Sequence, residues 1–158
     1  MSLRRTLAFV TVAAVALALA GAAWSKIVPN VGINGAKLNM TRPEIKDLLG
    51  QPQHTVHGMN DFGAFTVFKY YRLDVTFQGN SGATAVSTTR KRQKTGRGIG
   101  PGSTVHAFKT AYPFGRCRTE FDGFRHCWLG KFRAGERVTD FRVFNDKITR
   151  VTVAFVID

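Results

Sequence analysis

The pattern of apolar and polar positions divides the chain into parts that predict different kinds of element. Residues 7–20 are almost uniformly apolar. From about Ile33 onward, a short run with helical spacing is followed by runs in which every second residue is apolar, and this succession occurs twice. Spacings of three and four predict a helix with one buried face, whereas strict alternation predicts a half-buried strand.

The first predicted helix begins after Thr41. Thr41 and Glu44 form a capping box, in which the threonine hydroxyl accepts the backbone N–H of Glu44 and the glutamate carboxylate accepts that of Thr41. Ile45, Leu48 and Leu49 lie three and four residues apart and form one apolar face of this helix. Gly50 suits the left-handed position at which helices commonly end.

A second helix is predicted after Thr104, because the same pattern recurs there. Phe108 takes the position that Ile45 holds in the first pattern, and Pro113 supplies the stop. Ala107 stands where the first pattern has a glutamate, so only half of the cap is expected to form. The recurrence indicates two tandem units.

Strands follow each predicted helix. Leu73, Val75 and Phe77 alternate with polar residues in the first unit, as Phe141 and Val143 do in the second. The connections between such runs are short, which requires antiparallel neighbours. We therefore expect an α+β fold of two tandem units, each a short helix plus antiparallel β-strands, with the helices packed on one face of an antiparallel sheet.

These patterns divide the chain into four predicted segments. They are a signal peptide at residues 1–25, a first α+β unit at 33–89, a basic linker at 90–98 and a second α+β unit at 99–157. Five of the eight residues 90–97 are basic, which indicates a linker or an exposed strand end.

The first 25 residues have the order of features that marks an export signal. Arg4 and Arg5 precede the apolar run, and the small residues Ala20-Gly21-Ala22 follow it. The alternative is an uncleaved membrane anchor over residues 6–24, which is close to the roughly 20 residues that a spanning helix needs. We expect export and cleavage near Ala22 or Ser25, so the working protein lies outside the cytoplasm, secreted or in the cell envelope.

The two cysteines predict a disulfide that pins a hairpin. A two-residue turn would leave them out of register, whereas a three-residue loop pairs Glu120 with Phe124 and places Cys117 opposite Cys127. Such a loop favours glycine at its last, left-handed position, where Gly123 stands. Opposed residues lie within disulfide range, and oxidising compartments favour the bond. We expect a structural disulfide, since the Cys-x-x-Cys spacing of a redox pair is absent.

The charge of the chain predicts an anionic partner. Two of its 23 basic residues lie in the export segment, so the remainder would carry 21 basic and 10 acidic residues, a net charge of +11. Outside the cell the partner would be a wall polymer, a lipid head group, lipopolysaccharide or an acidic protein, and not nucleic acid. The alternative is a solvated basic surface without a partner. The candidate anion-binding residues are Arg90, Lys91, Arg92, Lys94 and Arg97.

The sequence offers little that would support catalysis. His54 and His57 are three residues apart in a predicted strand, so they lie on opposite faces. His126 is expected to face Arg118 across the cysteine hairpin. No nucleophile, metal or phosphate-loop motif occurs. We therefore expect no catalytic residue, no metal ligand, no cofactor and no enzymatic activity.

Binding has more support than catalysis. Aromatic and basic residues interleave along the strands of the second unit, and protein interfaces are enriched in aromatic and arginine anchors. Phe121 is the leading candidate, because the tip of a hairpin is difficult to bury. The alternative is that the aromatic residues form the core. The candidate partner-binding residues are Phe121, Arg118, Arg125 and Trp128.

The segment Asn39-Met40-Thr41 to Leu49-Gly50-Gln51-Pro52, followed by Val75-Thr76-Phe77, resembles small bacterial envelope proteins. Two families share this layout: the secreted β-lactamase-inhibitor protein family and the small outer-membrane assembly lipoprotein family. The tandem units and the Cys117 and Cys127 pair favour the first, although its cysteine pair in the first unit is missing here. The resemblance implies two helix-plus-four-strand repeats and a protein-binding function. It does not imply β-lactamase as the target.

The expected function is that of an exported, non-enzymatic binding module that recognises a protein partner in the cell envelope or medium. The alternative is a basic envelope-associated protein that binds anionic wall polymer or a membrane surface by charge. The two differ in their response to salt, since attraction between exposed charges is screened at moderate ionic strength.

Overall fold

The computed structural model describes residues 26–157, and the predicted export segment at 1–25 lies outside them. The described part of the chain is mostly β, with 47% of residues in strands and 11% in helices. The strands form a small three-stranded sheet near the N-terminus and one large eight-stranded sheet.

The elements follow one another along the chain in this order. The first half contains β1 (Ile27–Val28), β2 (Gly32–Ile33), β3 (Ala36–Lys37), α1 (Arg42–Leu49), β4 (His54–Asn60), β5 (Gly63–Tyr70), β6 (Leu73–Gln78) and β7 (Ala83–Thr88). The second half contains α2 (Val105–Ala111), β8 (Arg116–Thr119), β9 (Arg125–Gly130), β10 (Arg137–Phe144) and β11 (Lys147–Phe155).

The large sheet is antiparallel throughout and has the order β4-β5-β6-β7-β11-β10-β9-β8. Each half of the chain contributes four consecutive strands, so neighbouring strands are joined by short turns. The halves meet where β7 pairs with β11, with Val86 opposite Val153. One continuous ladder of backbone hydrogen bonds therefore crosses the whole molecule.

The expected α+β class is wrong, because strands dominate the structure and the helices do not form a layer on the sheet. The helices have only eight and seven residues. The first buries only Ile45, and the second only Val105 and Phe108. Two turns of helix bury too little apolar surface to form a layer, and hairpin connections fill the remaining length of chain.

The predicted ends of both helices are confirmed. The Thr41 backbone N–H donates to Glu44 Oε2 at 2.7 Å, and the Glu44 N–H donates to Thr41 Oγ1 at 3.4 Å. Gly50 follows α1 in the left-handed region, with φ of +80°. At α2, Thr104 Oγ1 accepts the N–H of Ala107 at 3.1 Å, which is the half cap that the sequence predicts.

The apolar core lies on one face of the large sheet. Phe77, Phe108 and Phe141 are its largest fully buried side chains. The rings of Phe108 in α2 and Phe141 in β10 have centroids 5.0 Å apart. Because side chains alternate along a strand, the neighbours of the core residues point to the other face, where Thr76 and Thr152 are half-buried. We call this second face the open face of the sheet.

The segment between β7 and α2 runs partly through the interior. Gln93 and Thr95 are buried, and β1 is attached to this segment because the N–H of Ile27 donates to Lys94 O at 3.1 Å. Within residues 26–157, neither helix has the length and apolar character needed to cross a bilayer.

Candidate functional site

The cysteine hairpin has the predicted register. Cys117 and Cys127 are opposed in β8 and β9, with Cα atoms 4.0 Å apart, and they form a disulfide. The Glu120 N–H donates to Phe124 O at 2.9 Å, which closes the three-residue loop. Gly123 occupies the left-handed position with φ of +76°, as the loop type requires.

Phe121 stands at the tip of this hairpin and is fully exposed. Below it, the loop is held by the disulfide and by Asp122, whose Oδ1 accepts the N–H of Phe124 at 2.9 Å. A fixed loop presents the phenyl ring in a limited range of positions. Such pre-organisation reduces the entropy that binding would otherwise cost.

Further aromatic side chains lie beside the hairpin on the open face of the sheet. Phe132 packs edge-on against Trp128 with centroids 5.1 Å apart, and the Arg118 guanidinium lies 5.7 Å from the Trp128 ring. Trp128 itself is mostly buried, whereas Phe132 is 53% exposed. We call the surface formed by Phe121, Arg118, Trp128 and Phe132 the hairpin face.

Two grooves adjoin the hairpin face. One, of about 730 Å³, runs along the edge strand β8 and is lined by the aromatic rings of Tyr112 and Phe114 and by the cations of Arg116 and Lys131. The other, of about 690 Å³, lies between the hairpin and β11 and has Phe121 and Ile157 on its sides. Phe132 lines both grooves. The hairpin face therefore combines aromatic, aliphatic and basic groups around two concave surfaces.

A charged cluster lies on the floor of the second groove. His126 Nδ1 is 2.9 Å from both carboxylate oxygens of Asp140, and its Nε2 is 3.1 Å from Asp122 Oδ2. Arg142 Nε lies 3.7 Å from the same Asp122 oxygen, and its guanidinium stands 3.6 Å from the centroid of the Phe124 ring. Both ring nitrogens of the histidine are thus engaged by carboxylates.

This arrangement favours the charged imidazolium. Burial alone would lower the pKa of His126, but the hydrogen bonds and charges of Asp140 and then Asp122 outweigh it and raise the pKa above its ordinary value. Burial raises the pKa of Asp140, and its contact with His126 opposes that change. The backbone N–H of Phe124 is the largest cause of the lowered pKa of Asp122, to which His126 contributes further.

The structure brings together three of the four predicted partner-binding residues. Phe121, Arg118 and Trp128 lie on the hairpin face. Arg125 does not lie there. It is two residues from the buried Cys127, so its side chain is on the same side of β9 as Cys127 and on the side opposite to Trp128. The predicted pairing of Arg118 with His126 is confirmed by the register of the two strands.

Three of the five predicted anion-binding residues meet in one cavity. Arg90, Lys91 and Arg92 line a space of about 610 Å³. Its other lining residues are Lys26, Tyr71, Arg72 and Gln93. We call this cavity the basic pocket. It joins the turn between β5 and β6, the segment after β7 and the first described residue of the chain.

The other two predicted anion-binding residues, Lys94 and Arg97, do not line the basic pocket. Lys94 Nζ donates to Pro101 O at 2.7 Å and to Ser103 Oγ at 3.2 Å, and burial lowers the pKa of Lys94. Arg97 donates from one terminal nitrogen to Ala111 O at 2.7 Å. Both side chains tie the segment after β7 to the loop and helix that follow it.

Several residues of these sites are not predicted by the sequence patterns above. Asp140 was not linked to His126, although alternation along β10 places it on the same face as Arg142. Lys26 and Arg72 were not linked to Arg90, and no local pattern could have linked them, because they lie 64 and 18 positions away in sequence.

Comparison with known proteins is informative about the fold alone. No family model and no curated protein matches the chain. Among solved structures, the chain is similar to a DUF4309 family protein (YjgB) from Bacillus subtilis, with a TM-score of 0.53 and 14% sequence identity. The match covers 84% of this chain and 89% of that one. The resemblance to the β-lactamase-inhibitor protein family therefore stays a prediction.

Proposed function

We propose that the protein is an exported, non-enzymatic binding module whose hairpin face recognises a protein partner with an acidic surface. The observation that carries this proposal is the fully exposed Phe121 on a loop that a disulfide holds in place. Aromatic anchors held in place before binding contribute strongly to protein interfaces. The disulfide also supports export, since such bonds persist in oxidising compartments.

The chemistry around Phe121 supports an acidic partner. Arg116, Arg118 and Lys131 line the groove along β8, beside the rings of Trp128 and Phe132. Arginine beside aromatic rings is the combination found at the centres of protein interfaces. The net charge of +11 outside the export segment adds long-range attraction toward an acidic surface.

The charged cluster supports a binding function over catalysis. A general base needs a nitrogen within reach of a substrate proton. In His126 both nitrogens are hydrogen-bonded to carboxylates, and both cysteines are oxidised to a disulfide. We infer that the cluster stabilises the floor of the groove and orients the hairpin.

The test begins with the full chain, expressed with its export segment and purified from the extracytoplasmic fraction. A pull-down from the native envelope identifies the bound protein, and titration calorimetry with that purified protein measures its affinity. We expect Phe121→Ala to weaken binding by about tenfold or more, which corresponds to the loss of an interface anchor.

The matched control is Phe62→Ala, because Phe62 is an exposed aromatic residue in the turn between β4 and β5 at the other end of the sheet. Its removal should leave the affinity unchanged. Equal effects of the two variants, or none from Phe121→Ala, would exclude the hairpin face as the binding surface.

The second candidate function is attachment to an anionic envelope polymer by charge, which the clustered cations of the basic pocket favour. At moderate salt, attraction between exposed charges is largely screened beyond about 8–10 Å. Retention on isolated envelopes that disappears at such salt concentrations would support it. A saturable complex with one protein that survives the same salt supports the hairpin face.

A further inference from the structure

Hydrogen bonds hold the two loops of the basic pocket in a fixed relation. The Thr88 hydroxyl donates to Arg72 O at 3.0 Å, and the Thr89 N–H donates to the same oxygen at 3.2 Å. Thr88 Oγ1 also accepts the backbone N–H of Arg90 at 3.1 Å and contacts the side-chain oxygen of Gln93. The pocket is therefore formed by the fold itself.

Two guanidinium groups are gathered on one aromatic ring. Arg90 lies 5.2 Å and Arg72 lies 5.6 Å from the centroid of the Tyr71 ring. Arg90 Nε also donates to Tyr71 O at 2.9 Å. Cation–π attraction fixes both groups, but their positive charges repel each other. A site that holds two such groups together favours an anion between or beside them.

No carboxylate neutralises these cations in the part of the chain that the structure describes. The ion pairs of residues 26–157 involve other residues, such as Lys69 with Asp74 and Arg118 with Glu120. None of them involves a cation of the basic pocket. Those five cations are Lys26, Arg72, Arg90, Lys91 and Arg92.

One polar group in the wall of the basic pocket is buried without a partner. Gln93 is 1% exposed, and its side-chain Nε2 has no hydrogen-bond partner among residues 26–157. Burying a polar group without a partner costs free energy, so native structures usually supply one. The atom is shielded from solvent, so its N–H reaches an anion oxygen only when the side-chain amide turns toward the cavity.

We propose that the basic pocket binds the phosphate group of a small phosphorylated ligand. Guanidinium groups match phosphate oxygens in pairs, and a phosphomonoester carries about −1.5 to −2 charges at neutral pH, which suits several cations better than a carboxylate does. The cavity of about 610 Å³ is within the usual range for small-molecule sites and larger than phosphate alone requires. This site does not rest on the proposed function of the hairpin face.

The test uses the full exported chain and titration calorimetry at low salt with inorganic phosphate, glycerol phosphate and glycerol. We expect saturable binding of both phosphates and none of glycerol. Arg72→Gln should weaken binding by about tenfold, the effect of losing a charge-assisted hydrogen bond. Arg133→Gln removes the same charge from an exposed residue outside the pocket and should leave the affinity unchanged.

A second measurement keeps the result independent of folding defects. In a proton–nitrogen spectrum, the side-chain amide of Gln93 should shift when glycerol phosphate is added to the unmodified protein. Absence of saturable phosphate binding, or an equal loss in Arg133→Gln, would overturn the proposal. Binding to phosphatidylglycerol vesicles without binding to glycerol phosphate would also overturn it, because the ligand would then be a lipid surface.

Discussion

At the scale of the residue, His126 shows how a side chain can be fixed by its charge. Its two nitrogens join Asp140 on β10 to Asp122 in the hairpin loop. The histidine therefore links the position of the loop to that of the sheet. It lies on the floor of the groove that Phe121 borders. Its protonation state should matter for the stability of this region.

Because the pKa of His126 is raised in the folded protein, protonation stabilises the fold. That contribution is fully present below the unfolded pKa of about 6.5 and is lost as the pH rises through the folded pKa. We expect the free energy of unfolding to fall by roughly 0.5 kcal/mol across this window, since partly exposed pairs are screened. The charged groups that face His126 are Arg118, Glu120, Asp122, Asp140 and Arg142.

Urea unfolding on either side of this window measures the effect. His126→Asn should remove the pH-dependent difference, whereas His54→Asn should retain it, because His54 is exposed and has no carboxylate partner among residues 26–157. The same pH dependence in the wild type and in His126→Asn would contradict the assignment.

At the scale of the element, the hairpin β8–β9 depends on its disulfide more than its neighbours do. It lies at the edge of the sheet, and β8 has only four residues, so few backbone hydrogen bonds hold it. Other hairpins, such as β10–β11, have longer ladders and bury more apolar side chains. The covalent bond substitutes for packing that a short edge strand cannot supply.

Replacing both cysteines, in Cys117→Ser with Cys127→Ser, should lower the free energy of unfolding by about 2–3 kcal/mol. The loop closed by the bond spans a sequence separation of 10, for which an effect of this size is expected. Thermal or urea unfolding measures the change, and wild type under reducing conditions serves as the control that should match the variant. Unchanged stability in both would mean that packing alone holds the hairpin.

The register of this hairpin was predictable because the determinants are local. The cysteine positions, the loop length and Gly123 together allow one pairing, and the structure has it. The caps of α1 and α2 were predictable for the same reason, since Thr41 and Glu44 interact within one helical turn. Arg125 lies on the same side of β9 as Cys127, so it does not join the hairpin face.

At the scale of the whole molecule, the two halves share one sheet and one core. The pairing of β7 with β11 joins them by backbone hydrogen bonds, and the core includes Phe77 from the first half and Phe141 from the second. The N-terminal strands add a further link, because Asn30 and Thr139 form hydrogen bonds of 2.7 and 2.9 Å. This continuity predicts that the halves unfold together.

Phe77→Leu tests that prediction. Phe77 is fully buried against Phe68, with ring centroids 4.9 Å apart, so the smaller side chain should cost about 1–2 kcal/mol. Native-state amide exchange should then accelerate equally in β6 and in β10, which belongs to the other half. Acceleration confined to the first half would show that the two sets of strands unfold as separate units.

The error in fold class also arose at this scale. Both predicted helices are present, but they do not form a layer on the sheet. The helical fraction of a fold depends on how long the strands between the helices are. Those strands are held by hydrogen-bonded partners that are distant in sequence. The order of the eight strands, with β7 beside β11, could not be read from hairpin patterns alone.

Several features depend only on neighbours along the chain and can be read from the residues: the caps of the two helices, the alternation of the strands, and the hairpin with its disulfide and exposed Phe121. Which charges meet depends on the packing of the folded chain. It turned Lys94 inward, paired His126 with Asp140, and brought Lys26 and Arg72 to Arg90. Charge clusters form between side chains from separate elements, and their distances follow from the packing of the whole chain.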